Sequence, residues 1–137
     1  MNQDLSKEPC VRPKVWVAWS SGKDSAWTLH RLRSEDRVEV TGLLTTVDQT
    51  ANRVAVHAVR KELLDAQARA VGLLLTRVVI PSPCANVEYE RAMRQALSSA
   101  RKQGVTHIAF GDLFLEDIRQ YRETMFAGSG VTPLFPL

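Results

Sequence analysis

Val15-Trp16-Val17-Ala18-Trp19-Ser20-Ser21-Gly22-Lys23-Asp24-Ser25-Ala26 constrains this chain more than any other segment. An apolar, β-favouring run enters a loop of small polar residues with one lysine and leaves it as a helix. An open α/β sheet presents backbone N–H groups to an anion in this order. Ser20, Ser21 and Gly22 carry little side-chain bulk, so the main chain can approach phosphate oxygens closely and successive N–H groups can form an anion nest. Lys23 adds a mobile point charge. The same residues can also be read as a serine-rich turn in which Ser25 or Asp24 caps the helix.

The Walker A pattern G-x-x-x-x-G-K-[ST] does not describe this loop. Its first glycine would fall at Val17, and its Mg²⁺-binding hydroxyl would fall at Asp24. An acid after the lysine is a poor substitute for that hydroxyl, so γ-phosphate cleavage of the Walker type is excluded.

The remaining periodicities repeat a strand–helix alternation. Lys14–Trp19 reads as a central parallel strand and Ser25–Arg33 as a helix with Ala26, Leu29 and Leu32 inward. Val38–Val47 is a second strand. A helix from His57 places Val59, Leu63, Ala66 and Ala70 on one stripe, with Gly72 as its left-handed cap. Leu74–Ile80 is a third strand, and Pro81-Ser82-Pro83-Cys84 is a loop. Asn86 is the expected N-cap of a helix with Glu88 and Glu90 near its start and Tyr89, Met93, Ala96, Leu97 and Ala100 buried. Thr106–Phe110 is a fourth strand, Gly111-Asp112 its turn, and Leu115–Phe126 a fourth helix. The expected fold is α/β: an open, doubly wound, Rossmann-like parallel sheet of about four strands with helices on both faces. Ligands on such sheets bind at the carboxyl ends of the strands.

Composition sets bounds on this reading. A chain of 137 residues with 45% apolar content suits one domain, expected over residues 14–137 behind a flexible segment 1–13. A net charge of +3, dispersed among acids, is too weak to argue for nucleic acid. No segment reaches the roughly 18 apolar residues of a membrane helix, and the polar first residues lack the core of a signal peptide. Cys10 and Cys84 form no metal-ligand or redox pair, which fits a reduced cytoplasm. Cys84 reads as a structural thiol, His57 as an exposed polar residue, and His30 and His107 as packing or surface residues. Trp16, Trp19 and Trp27 read as core rather than as stacking platforms.

The segment from Gly111 to Glu123 carries four acids and two arginines just past the last strand. On a helix Glu116, Arg119 and Glu123 share one face, and Ile118, Tyr121 and Met125 share another that can pack. The charged face alone would read as solvated ion pairs. At the carboxyl end of a strand in the same sheet as the loop, Asp112 could hold Mg²⁺ and Arg119 could steady a carboxylate or phosphate.

Ser20-Ser21-Gly22-Lys23-Asp24-Ser25 resembles the S-G-G-x-D-S loop of the ATP pyrophosphatase, or PP-loop, superfamily, with Ser21 in place of the first glycine. His57-Ala58-Val59-Arg60, the block from Ile80 to Glu90, and Gly111-Asp112-Leu113-Phe114-Leu115-Glu116-Asp117 with Arg119, Tyr121, Arg122 and Glu123 resemble successive blocks of its diphthine–ammonia ligase-type branch. The resemblance spans Lys14 to Leu137. It implies an adenine nucleotide alpha hydrolase-like fold and ATP-dependent amidation, in which a carboxylate is adenylated and ammonia then displaces AMP. Carried over by position, Ser20 through Ser25 would hold phosphates, Thr45, Thr46 and Ile80 would line adenosine, and Gly111 and Asp112 would complete the nucleotide site. Glu88, Glu116, Asp117, Arg119 and Glu123 would face the acceptor. By the same resemblance Lys23, Asp24, Asp112 and Glu116 would form the catalytic set, with Mg²⁺ at Asp112.

Members of this branch normally continue beyond a point corresponding to Pro133-Leu134-Phe135-Pro136-Leu137 into a second region with an acidic E-[GN]-G-E type stretch, and no such stretch occurs here. The expectation is a nucleotide-binding half without a fifth strand, its open edge covered by a second copy of the chain. Two rival readings are a tRNA-modifying PP-loop enzyme, disfavoured by the absence of a cysteine pair and a basic tract, and a nucleotide sensor of universal-stress type.

Overall fold

The computed structural model describes residues 12–48, 53–54, 61–81, 85–111 and 116–137. Its elements run β1 (Lys14–Ala18), α1 (Lys23–Glu35), β2 (Glu39–Asp48), β3 (Arg53–Val54), α2 (Lys61–Val71), β4 (Leu74–Ile80), α3 (Asn86–Lys102), β5 (Val105–Ala109), α4 (Glu116–Phe126) and β6 (Thr132–Leu134). No helix among the described residues is long and apolar enough to cross a membrane.

β1 is paired on both edges, in parallel with β2 and with β5. β2 pairs in parallel with β4 along Gly42–Asp48, and β5 pairs in parallel with β6. The parallel order is therefore β4-β2-β1-β5-β6. This is one strand more than the sequence suggested, because the apolar tail forms β6 alongside β5. The two-residue β3 adds antiparallel to Val47 and Asp48. β4 takes one edge of those residues, so β3 continues the edge that β1 follows only to Leu44.

Each face of the sheet buries its own core. Val15, Val17 and Leu43 pack with Leu29 and Leu32 of α1 and with Leu64 and Ala68 of α2. Trp16, Leu44, Val78 and Ile108 pack with Met93, Ala96, Leu97 and Ala100 of α3 and with Met125 and Phe126 of α4. The alternation of strand side chains produces this division. Trp16 is accommodated over Gly42, where an added Cβ would lie 2.9 Å from the indole nitrogen.

Several helix details depart from expectation. α1 begins at Lys23, two residues early, and Asp36 ends it in the left-handed conformation with its N–H donating to the Leu32 carbonyl at 3.2 Å. Its inward face is Ser25, Thr28, Leu29 and Leu32, and Ala26 is exposed. Trp27 points away from the sheet and is 57% exposed, so it is not core as Trp16 and Trp19 are. α2 buries Leu64 and Ala68 rather than Leu63, Ala66 and Ala70, a rotation of one residue that adjacent leucines leave open. α3 is capped at Ala85, not Asn86, and the Glu88 carboxylate accepts the Ala85 N–H at 3.3 Å. Ile118 and Tyr121 of α4 are exposed, because its first two turns stand clear of the sheet and only Met125 and Phe126 are buried. Of the expected N-terminal segment, Arg12 pairs with Asp36 and the Pro13 carbonyl accepts the Glu39 N–H at 2.8 Å.

The rotation of α2 gives a direct test. Leu64→Ala empties a fully buried site and is expected to cost about 2–5 kcal/mol, whereas Leu63→Ala stays within about 0.5 kcal/mol. Urea denaturation of the two variants checks this, and the reverse ranking would contradict the helix orientation.

Candidate functional site

The chain winds outward from β1 through β2 to β4 with α1 and α2 on one face, then crosses to β5 and β6 with α3 and α4 on the other. The winding reverses between β1 and β5. At such a switch point the loops leaving the two strands diverge and open a crevice at their carboxyl ends. The segment 19–22 leaves β1 there, and Phe110 and Gly111 leave β5.

Gly111 ties the two exits together. A Cβ on it would lie 2.9 Å from the Asp24 carbonyl oxygen and 3.0 Å from the Thr28 hydroxyl. Backbone at one strand exit thus lies directly against the first turn of α1, which a larger residue would force apart. Thr28 is fully buried and donates its hydroxyl to the Asp24 carbonyl at 2.7 Å.

The loop is fixed from within by Ser25. Its hydroxyl donates to the Gly22 carbonyl at 3.1 Å, accepts the Ser20 N–H at 3.3 Å and lies 3.2 Å from the Ser20 hydroxyl. Gly22 occupies the N-cap position with no side-chain cap bond, so neither Ser25 nor Asp24 caps the helix. A helix start lacks intrahelical acceptors for its first N–H groups. Those of Lys23, Asp24 and Ser25 lie at the carboxyl end of β1, where such N–H groups and the helix dipole favour an anion.

Ser21 has φ +73°, in the left-handed region that glycine enters without strain. Its hydroxyl donates at 2.7 Å to the Gln67 side-chain oxygen of α2, which also accepts the Trp19 indole N–H at 2.9 Å. Sequence reasoning missed Gln67. The available signal was its place in the i, i+3, i+4, i+7 row with Leu64, Ala68 and Val71, a polar amide within a buried stripe. Lys23 is 88% exposed at its side chain and pairs with Asp24 at 2.9 Å, an exposed contact that leaves the ammonium free to exchange partners.

The other sequence-derived residues fall around this edge. Thr45 and Thr46 are both at the carboxyl half of β2, but alternation turns them to opposite faces, Thr45 toward α1 and α2 and Thr46 toward α3 and α4. The Thr45 hydroxyl is buried and has no partner among the described residues. Ile80, the last residue of β4, is buried on the Thr46 face. Glu88 caps α3, and Glu116 and Asp117 lie exposed on the first turn of α4. Arg119 pairs with Glu123 at 3.5 Å and stacks over Phe135, its guanidinium 4.7 Å from the ring centre. Asp112, with His57 and Cys84, lies outside the described residues. His107 is half-buried on β5, and burial lowers its pKa.

α3 and α4 meet where Tyr121 donates its phenol to Glu90 at 2.9 Å. Burial, then the hydrogen bond to Glu90 and its negative charge, push the Tyr121 pKa up from 10.0 to about 12. The fold favours the neutral phenol, so its stabilising contribution is complete below pH 10 and is lost as the pH rises through about 12. A phenolate absorbance titration should show a tyrosine ionising near 12 that is missing from Tyr121→Phe. A Tyr121 phenol titrating at its ordinary 10.0 would contradict the contact.

A family model described as the diphthamide synthase N-terminal domain matches residues 13–133. No curated protein matches the chain. The matched span runs from the start of β1 into β6 and contains the loop, the switch point and Gly111. The chain thus belongs to the diphthamide synthase family, as a PP-loop, ATP-utilising domain with a Rossmann-like parallel sheet.

Proposed function

We propose that this domain binds ATP with Mg²⁺ at the β1/β5 switch point and serves AMP-forming amide ligation of a carboxylate. One observation carries the reading: the first turn of α1, with no side-chain cap bond from Gly22, lies at the switch point, with the Gly111 backbone packed against it. The residues present suit a nucleotide. The first turn of α1 offers N–H donors and Lys23 to phosphates, and the buried Thr45 hydroxyl, without a partner among the described residues, offers a polar contact at the carboxyl end of β2.

In the proposed reaction a substrate carboxylate oxygen bonds to the α-phosphorus as the bond from that phosphorus to the oxygen bridging the β-phosphorus breaks, releasing pyrophosphate. Ammonia then attacks the acyl carbon, the carbon–oxygen bond to AMP breaks, and the ammonia nitrogen sheds its extra proton to give the amide. The segment Ser20 to Ser25 holds phosphate oxygens, and Lys23 balances charge that gathers on the departing pyrophosphate. Mg²⁺ would neutralise phosphate charge, with Asp112 as the proposed ligand. Ile80, Thr46 and Thr45 flank the adenosine, and Gly111 completes the nucleotide site. Glu88, Glu116, Asp117, Arg119 and Glu123 stand on the acceptor side, where Arg119, already aimed across α4 toward Phe135, can pair with a carboxylate.

The Lys23–Asp24 pair is exposed and contributes little to stability. The double variant Lys23→Ala, Asp24→Ala should therefore fold normally and bind ATP with Mg²⁺ roughly tenfold or more weakly. Unchanged calorimetric affinity would refute the site. Release of AMP and pyrophosphate from ATP with ammonia and a panel of carboxylates tests the ligation step, and tight binding without release would mark a nucleotide-binding module instead.

A further inference from the structure

Gln67 belongs to none of the sequence blocks that mark the nucleotide site, yet it is the residue through which α2 grips the phosphate loop. One side-chain oxygen accepts both the Trp19 indole N–H at 2.9 Å and the Ser21 hydroxyl at 2.7 Å. The two donors bracket Ser20 at the start of the loop. Trp19 is buried in the α1/α2 core and its backbone N–H is bonded to Leu44 at 2.7 Å, so this end of the grip cannot drift. The other end, Ser21, sits at φ +73°, a conformation that costs any residue with a Cβ. The hydroxyl bond to Gln67 offsets that cost.

We propose that Gln67 is a positioning residue for the phosphate loop. Its shared amide oxygen holds Ser21 in the left-handed conformation that keeps the N–H groups at the start of α1 open to an anion. This rests on the ATP-binding reading above and adds a residue to it. The grip also explains how serine serves at a backbone position suited to glycine: the side chain supplies through a hydrogen bond what glycine supplies through freedom of φ. A neutral amide suits the place. A carboxylate could accept the same two bonds, but it would set a negative charge beside the phosphates.

The test uses the full chain with Gln67→Ala, Gln67→Glu, Ser21→Gly and the Gln67→Ala, Ser21→Gly double variant. Calorimetry should show Gln67→Ala weakening ATP binding roughly tenfold. Ser21→Gly removes the hydroxyl that Gln67 grips, so adding Gln67→Ala to Ser21→Gly should cost much less than it costs alone. Gln67→Glu should keep the wild-type melting temperature while losing affinity for ATP more than for adenosine. Amide hydrogen exchange in the free protein reads the loop without nucleotide, and Gln67→Ala should speed exchange at Ser20, Ser21 and Gly22. A merely structural Gln67 would lower the melting temperature equally in both backgrounds without this coupling, and that result would overturn the proposal. Unchanged exchange would overturn it whether or not ATP binds. Faster exchange in Gln67→Ala, with a wild-type chain that fails to bind ATP, would instead overturn the ATP reading alone.

Discussion

The structure depends on the double pairing of β1. With β2 on one edge and β5 on the other, and with an apolar core on each face, β1 has nothing left exposed but its ends. The chain must leave it abruptly, and the two crossovers that flank it must run to opposite faces. Both consequences meet at the carboxyl end of β1. The switch point, the first turn of α1 without a side-chain cap and the close approach of Gly111 all follow from the position of this one strand.

Much of this is legible in the residues. Val15 and Val17, together with Trp16, announce a strand buried on both faces, and Leu74–Ile80 matches the observed strand at both ends because Gly72 and Pro81 punctuate it. The helix faces are less legible. Leu63 and Leu64 are adjacent and identical, so two stripes fit the sequence equally, and only packing against Leu43 and Ala68 selects Leu64. Trp27 was expected inside on hydrophobicity, but Ser25 and Thr28 are small enough to let α1 lie close to the sheet and take the inward positions instead. β6 was missed because Pro133 within a short apolar tail argues against a strand, although at a sheet edge proline is tolerated.

The site divides in the same way. The loop from Ser20 to Ser25 and the turn at Gly111 could be found because small residues and a lysine in that order have few other uses. Gln67 left only a faint signal, a polar amide in a buried stripe, whose meaning appears only when a strand exit 46 positions earlier folds against it. The charged face of α4 was legible as composition but not as geometry. Its arginines spend part of their surface on aromatic rings, Arg119 over Phe135 and Arg122 over Phe110, an arrangement set by β6 and the end of β5.

The central claim is that the β1/β5 switch point takes the phosphates of ATP. Backbone amide NMR shifts of the labelled chain, followed as inorganic pyrophosphate and then ATP are added, test it most directly. A phosphate site there predicts the largest shifts at Ser21, Gly22, Lys23, Asp24 and Ser25 with both ligands, at Gly111 beside them, and at Thr45 with ATP only. Shifts that cluster elsewhere, or spread evenly over the exposed arginines of α3, would contradict it.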